Sequence, residues 1–243
     1  TDGACHLDSS MLLQALLLQT EDRTSCNPFV EYVVKLQELG LPFSFAAILD
    51  WQWIRIPLAL VDEHQQTGHI RFALIGTGQG EKTNLPDWAC HQMDAAARQA
   101  VNTAFALQAR KSGSGFFFWP CIDFTSPGMK IQGASLGLAV YLGAASLLKG
   151  CDPPELVCSG RLGPTGLEAS HEYELKITAA ARMGFQGVLC VSQGPLTGFS
   201  SPRTKRSFEI LPVPDLETAG ILWTCYLPEK GNELLSSVQA RYD

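Results

Sequence analysis

Residues 130–150 read KIQGASLGLAVYLGAASLLKG, and residues 151–192 continue CDPPELVCSGRLGPTGLEASHEYELKITAAARMGFQGVLCVS. Together they decide the fold. The first piece is uncharged and rich in small residues from Gly133 to Leu148, the pattern of a helix buried on all sides. It is too short, and carries too many glycines, for a bilayer span, which needs roughly 20 apolar residues. The second piece holds a short apolar strand ending at Ser159, then a helix over His171–Met183, then a buried strand over Gly187–Val191. Alternation of strands and helices places the chain in the α/β (α+β) class.

Three polar residues stand out against this apolar background. Ser135 sits where the central helix opens, beside Gly133 and Ala134, and Lys176 follows 41 residues later. Ser159 ends the strand between them. At about 100° per residue, Tyr173, Ala179, Ala180 and Met183 fall within roughly 60° of Lys176, while Glu174, Thr178 and Arg182 gather opposite. The lysine therefore projects from the apolar face of its helix. Desolvation there disfavours the ammonium and lowers its pKa, as a general base requires; a lysine snorkelling at the edge of that face is the competing reading. Ser135 is equally open. Unpaired amides at a helix start can meet an oxyanion, yet a serine at that place is also a good N-cap. The five histidines, His6, His64, His69, His91 and His171, form no Ser-His-Asp pattern.

These residues resemble the proteolytic domain of the Lon protease family. The family sets a serine in a G-x-S-x-G-like turn ahead of a small-residue helix, and a lysine some forty residues on in a K-[ILV]-x-A-A helix. A [TS]-G strand end lies between them. Here the matching residues are Gly133-Ala134-Ser135-Leu136-Gly137, Ser159-Gly160, and Lys176-Ile177-Thr178-Ala179-Ala180. The resemblance implies a ribosomal-protein-S5-domain-2-like fold and a serine endopeptidase with a Ser135/Lys176 catalytic dyad. It makes Ser159 the hydroxyl that orients the lysine, and Gly133 and Ala134 the turn that presents the serine. It calls for no metal and no cofactor. The partners it implies are a protein or peptide substrate, a separate ATPase or regulatory partner, and a homo-oligomer, a hexamer in the family.

Three departures bear on function. Leu136 is bulky where the family has a small residue, Ala169-Ser170-His171 replaces a Gly-Gly turn, and nothing resembles the family's ATPase module. ATP-independent cleavage is the resulting expectation. Two alternatives keep the fold: a non-catalytic Lon-like scaffold or assembly module, and a Ser/Lys protease of the kind that processes birnavirus polyproteins. An unrelated α/β binding protein is the third.

Working outward, residues 1–50 are read as an N-terminal helical segment. One helix covers 8–20, capped by Asp8 or Ser9, and another covers 28–39, capped by Asn27 and stopped at Gly40. The Lon-like domain then spans 51–243. Trp53–Val61 and His69–Ile75 suggest a hairpin around a turn at Glu63–Gly68. Gly76–Thr83, GTGQGEKT, imitates a phosphate loop, but Glu81 stands where glycine must precede the lysine, so nucleotide binding is not expected. A helix is expected over 88–109, a turn at Lys111–Gly115, and an aromatic strand over Phe116–Phe124, with Pro120 marking an edge or bulge. Further expectations are a strand at Phe208–Val213, a helix capped by Asp215 and running to Cys225, and a last helix over 231–241.

Composition narrows the function class. The 243 residues are 46% hydrophobic and 17% charged, enough for one sizeable core. A net charge of −6 offers no general phosphate-binding surface, and the single basic cluster, Arg203, Lys205 and Arg206, lacks interleaved aromatics. Neither nucleic acid nor membrane is expected as a partner. The eight cysteines show no C-x-x-C spacing, which gives no zinc motif and suggests the cytoplasm or another reducing compartment. The chain opens at Thr1 with no signal-peptide pattern, as a processed product or excised domain would.

Overall fold

A computed structural model describes residues 52–62, 65–78, 90, 93–121, 131–164, 166–170, 172–191, 208–228 and 230–240. The expected helices within 1–50, the phosphate-loop-like 79–83 and the basic cluster at 203–206 lie outside them. The described residues form a mixed α/β structure built on a six-stranded sheet.

The sheet begins with a long hairpin. β1 (Gln52–Asp62) and β2 (Thr67–Gly78) pair antiparallel over their whole lengths, from Gln52↔Thr77 to Asp62↔Thr67. The turn is shorter than expected, because Thr67 and Gly68 are already in β2. β3 (Gly115–Cys121) pairs antiparallel with β2 and forms the sheet edge. Pro120, which has no N–H to give, is thereby accommodated. On the other side of β1 come β4 (Leu156–Ser159), β7 (Gly187–Val191) and β8 (Glu209–Val213), all parallel. Between β4 and β7 in sequence, β5 (Arg161–Gly163) and β6 (Gly166–Glu168) make a separate two-stranded ribbon.

Both faces of the sheet are covered. One face carries α1 (Ala95–Ser112), α2 (Gly137–Lys149), α4 (Leu216–Cys225) and α5 (Gly231–Gln239). α2 is the central member. Leu138, Val140, Leu142 and Ala144 have no exposed surface, and Gly143 lets the helix approach Ile56 and Ile75 closely. The opposite face carries α3 (Tyr173–Arg182), whose Ile177, Ala179 and Ala180 pack on Ala59, Ile70, Val157, Val188 and Cys190. The strand residues alternate between these two layers, as the pleat requires: Leu156 and Cys158 face α2, while Val157 faces α3.

Several element ends differ from the sequence reading. The helix expected over 88–109 is interrupted: Cys90 is helical, but Met93 forms a β-bridge with Ile131, and α1 starts after Asp94, which caps it by accepting from Ala97 N at 2.7 Å. At its other end α1 continues to Ser112, so the turn is only Gly113–Ser114. α3 is a residue or two shorter at each end than His171–Met183, and Met183, expected on the covered face, is 52% exposed just past the helix end. No described helix is long and apolar enough to cross a membrane.

Candidate functional site

The site forms at the carboxyl ends of the parallel strands β4 and β7, the usual location of crevices in open α/β sheets. Its backbone frame is a pair of reciprocal hydrogen bonds. Gly160 N donates to Ser135 O at 3.0 Å, and Leu138 N donates to Gly160 O at 3.1 Å. They clamp the turn ahead of α2 against the end of β4. Only glycine fits at 160, because a Cβ there would come within 2.5 Å of Val191 Cγ2 and 3.2 Å of Leu138 Cδ2.

That frame settles what Ser135 does locally. The serine does not open the helix; it lies in a turn, and α2 begins at Gly137. The N-cap position belongs to Leu136, with no side-chain cap bond, so the Ser135 hydroxyl is not spent on capping. It lies instead 3.1 Å from Nζ of Lys176. The turn is tied from behind as well. Gly133, at φ 78°, donates its amide to Oδ2 of Asp94 at 3.1 Å, so one carboxylate holds both the start of α1 and the approach to Ser135.

Lys176 is buried, at 4% exposure, and does not snorkel. Besides Ser135, its Nζ lies 3.1 Å from Ser159 Oγ and 3.4 Å from Ser170 Oγ. The two buried hydroxyls lie 2.8 Å from each other. Burial lowers the amine's pKa to about 8, with Glu172 opposing the shift. Near pH 8 the amine is therefore about half neutral. A neutral amine this close to a hydroxyl can take its proton. Of the three serines, Ser159 and Ser170 are buried and Ser135 is only partly so, which leaves Ser135 as the one a substrate can reach.

The amides at the start of α2 are fewer than a bare helix end would offer. Gly137 N donates to Ala134 O, and Leu138 N is taken by Gly160. Among the described residues, the amides of Ser135 and Leu136 face no acceptor. No group of three or more His, Cys, Asp or Glu that could hold a metal ion converges among the described residues. Cys90, Cys151, Cys158, Cys190 and Cys225 are free thiols.

The structure thus brings Ser135, Ser159 and Lys176 together, with Gly133 and Ala134 in the presenting turn. It adds four residues not singled out from sequence. Ser170 carries no signal in the sequence beyond its place in the Ala169-Ser170-His171 segment. Tyr173 falls on the lysine's apolar face of the helix wheel; its hydroxyl accepts from Ser170 N at 2.9 Å and donates to Val191 O at 3.1 Å. Glu172 and Asp94 are the others, and an aspartate ahead of an alanine-rich run is a legible cap signal. No protein-family model matches the chain, and no curated protein matches it significantly.

Proposed function

We propose that this chain is a Lon-like serine endopeptidase, with Ser135 as nucleophile and Lys176 as general base. One observation carries the reading: a partly exposed hydroxyl lies 3.1 Å from a buried amine whose pKa is lowered to about 8. Burying that amine penalises the folded protein by about 3 kcal/mol at neutral pH. A scaffold would gain nothing from that cost, whereas a peptidase needs the neutral amine.

In the mechanism, the Ser135 proton passes to the lone pair of Lys176 as Oγ bonds to the peptide carbonyl carbon. The carbonyl oxygen takes up the negative charge and is met by the amides of Ser135 and Leu136. As the tetrahedral adduct collapses, the C–N bond breaks and the leaving amine takes the proton from the Lys176 ammonium. Lys176, neutral again, then takes a proton from water as the water oxygen adds to the ester carbonyl; the C–Oγ bond breaks, the acid product leaves, and the ammonium returns the proton to Ser135 Oγ. The peptide binds extended, in the manner of an added strand. As it stands the chain cleaves accessible substrates without ATP; by the same resemblance it assembles into a ring, and a separate ATPase or regulatory partner delivers substrates that do not reach the site unaided.

The test is casein digestion by the wild type and Ser135→Ala, each with and without a peptide boronate, which adds to serine nucleophiles as a tetrahedral adduct. The expected result is cleavage that requires Ser135 and is blocked by boronate. A covalent boronate adduct on Ser135 without cleavage supports the dyad and moves the question to substrate delivery. The absence of both cleavage and adduct would overturn the peptidase reading.

A further inference from the structure

We propose that Ser170, held in place by Tyr173, is a positioning residue for the amine of Lys176. The proposal deepens the peptidase reading and rests on it. A neutral amine has two N–H groups and one lone pair. Three hydroxyls surround Nζ, those of Ser135, Ser159 and Ser170, at 3.1, 3.1 and 3.4 Å. When Ser159 and Ser170 accept the two N–H groups, the lone pair has a single direction left, toward the proton of Ser135. With Ser159 alone the remaining N–H and the lone pair could exchange places about the Cε–Nζ bond, and the amine would lose that aim. After proton transfer the same three oxygens accept all three N–H groups of the ammonium, so the cage serves both protonation states.

The placement of Ser170 is itself constructed. Tyr173, the first residue of α3, receives Ser170 N–H at 2.9 Å and donates to Val191 O at 3.1 Å, at the end of β7. Ser159 O, at the end of β4, lies 3.4 Å from the same phenol. Tyr173 therefore bolts the loop before α3 to the two strand ends that frame the site. Ser170 is 6% exposed, too buried to act on a substrate itself.

The ionisable groups around the amine are few. Among the described residues on the face α3 covers, Arg55 on β1 is stacked over Phe72 at 3.6 Å, and the Cys190 thiol on β7 is pushed by burial up to about 12. Glu172 and Tyr173 precede Lys176 on its own helix turn, and of all these only Glu172 acts on the amine's charge.

The experiment follows the rate at which a fluorophosphonate probe labels Ser135, as a function of pH, in full chains of the wild type, Ser170→Ala, Ser170→Thr, Tyr173→Phe and Lys176→Met. Ser170→Ala is expected to lower the plateau rate about tenfold, the worth of one aimed hydrogen bond. It is also expected to move the acidic limb to lower pH, because the ammonium loses an acceptor. Ser170→Thr, which keeps the hydroxyl, restores both, and Tyr173→Phe moves both in the direction of Ser170→Ala. A merely structural serine would lower the folded fraction and leave the limb where it was; that outcome, or a wild-type plateau and limb in Ser170→Ala, overturns the proposal. Lys176→Met separates the two levels. If it is labelled as fast as the wild type, the dyad itself fails. If it is silent while Ser170→Ala behaves as wild type, only the assignment of Ser170 fails.

Discussion

The Nζ of Lys176 lies 3.1 Å from the Oγ of Ser135, at the meeting of two segments that the chain holds 41 residues apart. Because burial sets the amine's pKa near 8, hydrolysis should follow its deprotonation. Below pH 8 the neutral fraction falls about tenfold per unit, so the rate at pH 6 should be about a hundredfold below its plateau. Glu172 works against the low pKa and sits at φ 61°, in the left-handed region. Glu172→Gly should therefore shift the limb to lower pH; relieving the backbone is worth about 1 kcal/mol, and that gain should show in full only above pH 8, because at lower pH the ammonium loses the attraction of Glu172. A pH–rate profile and a thermal melt of the same sample check both; a limb that moves upward refutes the role given to Glu172.

Lys176→Met should stabilise the protein at neutral pH, by up to about 3 kcal/mol. The sign follows from proton counts. The unfolded chain keeps the lysine proton up to about 10.5, and the folded chain only up to about 8. Between these values the unfolded state carries more protons, so wild-type stability rises with pH there. The gap between variant and wild type should accordingly be largest below pH 8 and close toward pH 10.5. Urea unfolding of both proteins across pH 7–11 measures it, and a pH-independent gap would contradict a strained ammonium.

What the sequence made legible, and what it hid, divides by range. α2 could be read as a buried helix because its apolar character runs all the way round. Lys176 could be placed on the covered face because Ala179 and Ala180 flank it at helical spacing. The same wheel misplaced Met183, since it assumes that the covering layer extends as far as the pattern does, and α3 ends at Arg182. The choice between cap and reactive hydroxyl at Ser135 depends on the bonds to Gly160, which no local pattern encodes. The β5–β6 ribbon went unseen because its three-residue strands are too short to alternate. Ser170 reaches the amine from a loop, where helical and strand periodicities say nothing.

Gly68 couples the hairpin to the lysine. At the start of β2 it lies against the backbone of α3, and a Cβ there would stand 2.6 Å from Leu175 C and 3.1 Å from Ala179 Cβ, closer still to the Leu175 carbonyl oxygen. Backbone cannot swing aside as a side chain can, so Gly68→Ala should displace α3 and Lys176 with it. The expected cost is about 1–3 kcal/mol of stability from overpacking. Activity measured well below the melting temperature should fall by more than the folded fraction does. Activity that tracks the folded fraction alone would show that the hairpin does not position the lysine.

Asp94 should report on the serine side of the pair. Its Oδ1 caps α1 through Ala97 N, and its Oδ2 holds the amide of Gly133, two residues before Ser135. Asp94→Ala removes both contacts. The lost cap costs about 1 kcal/mol, and the loosened turn should lower kcat. The acidic limb should stay near pH 8, because Asp94 is not among the groups that act on Lys176. Asp94→Asn has one acceptor oxygen where the carboxylate has two, so it can serve the cap or the turn but not both, and should fall between Ala and wild type. Stability, kcat and the pH limb of the three proteins, measured together, separate a loosened serine from a mistuned base. A shifted limb in Asp94→Ala would place that carboxylate in the electrostatics of Lys176 and not in the positioning of Ser135.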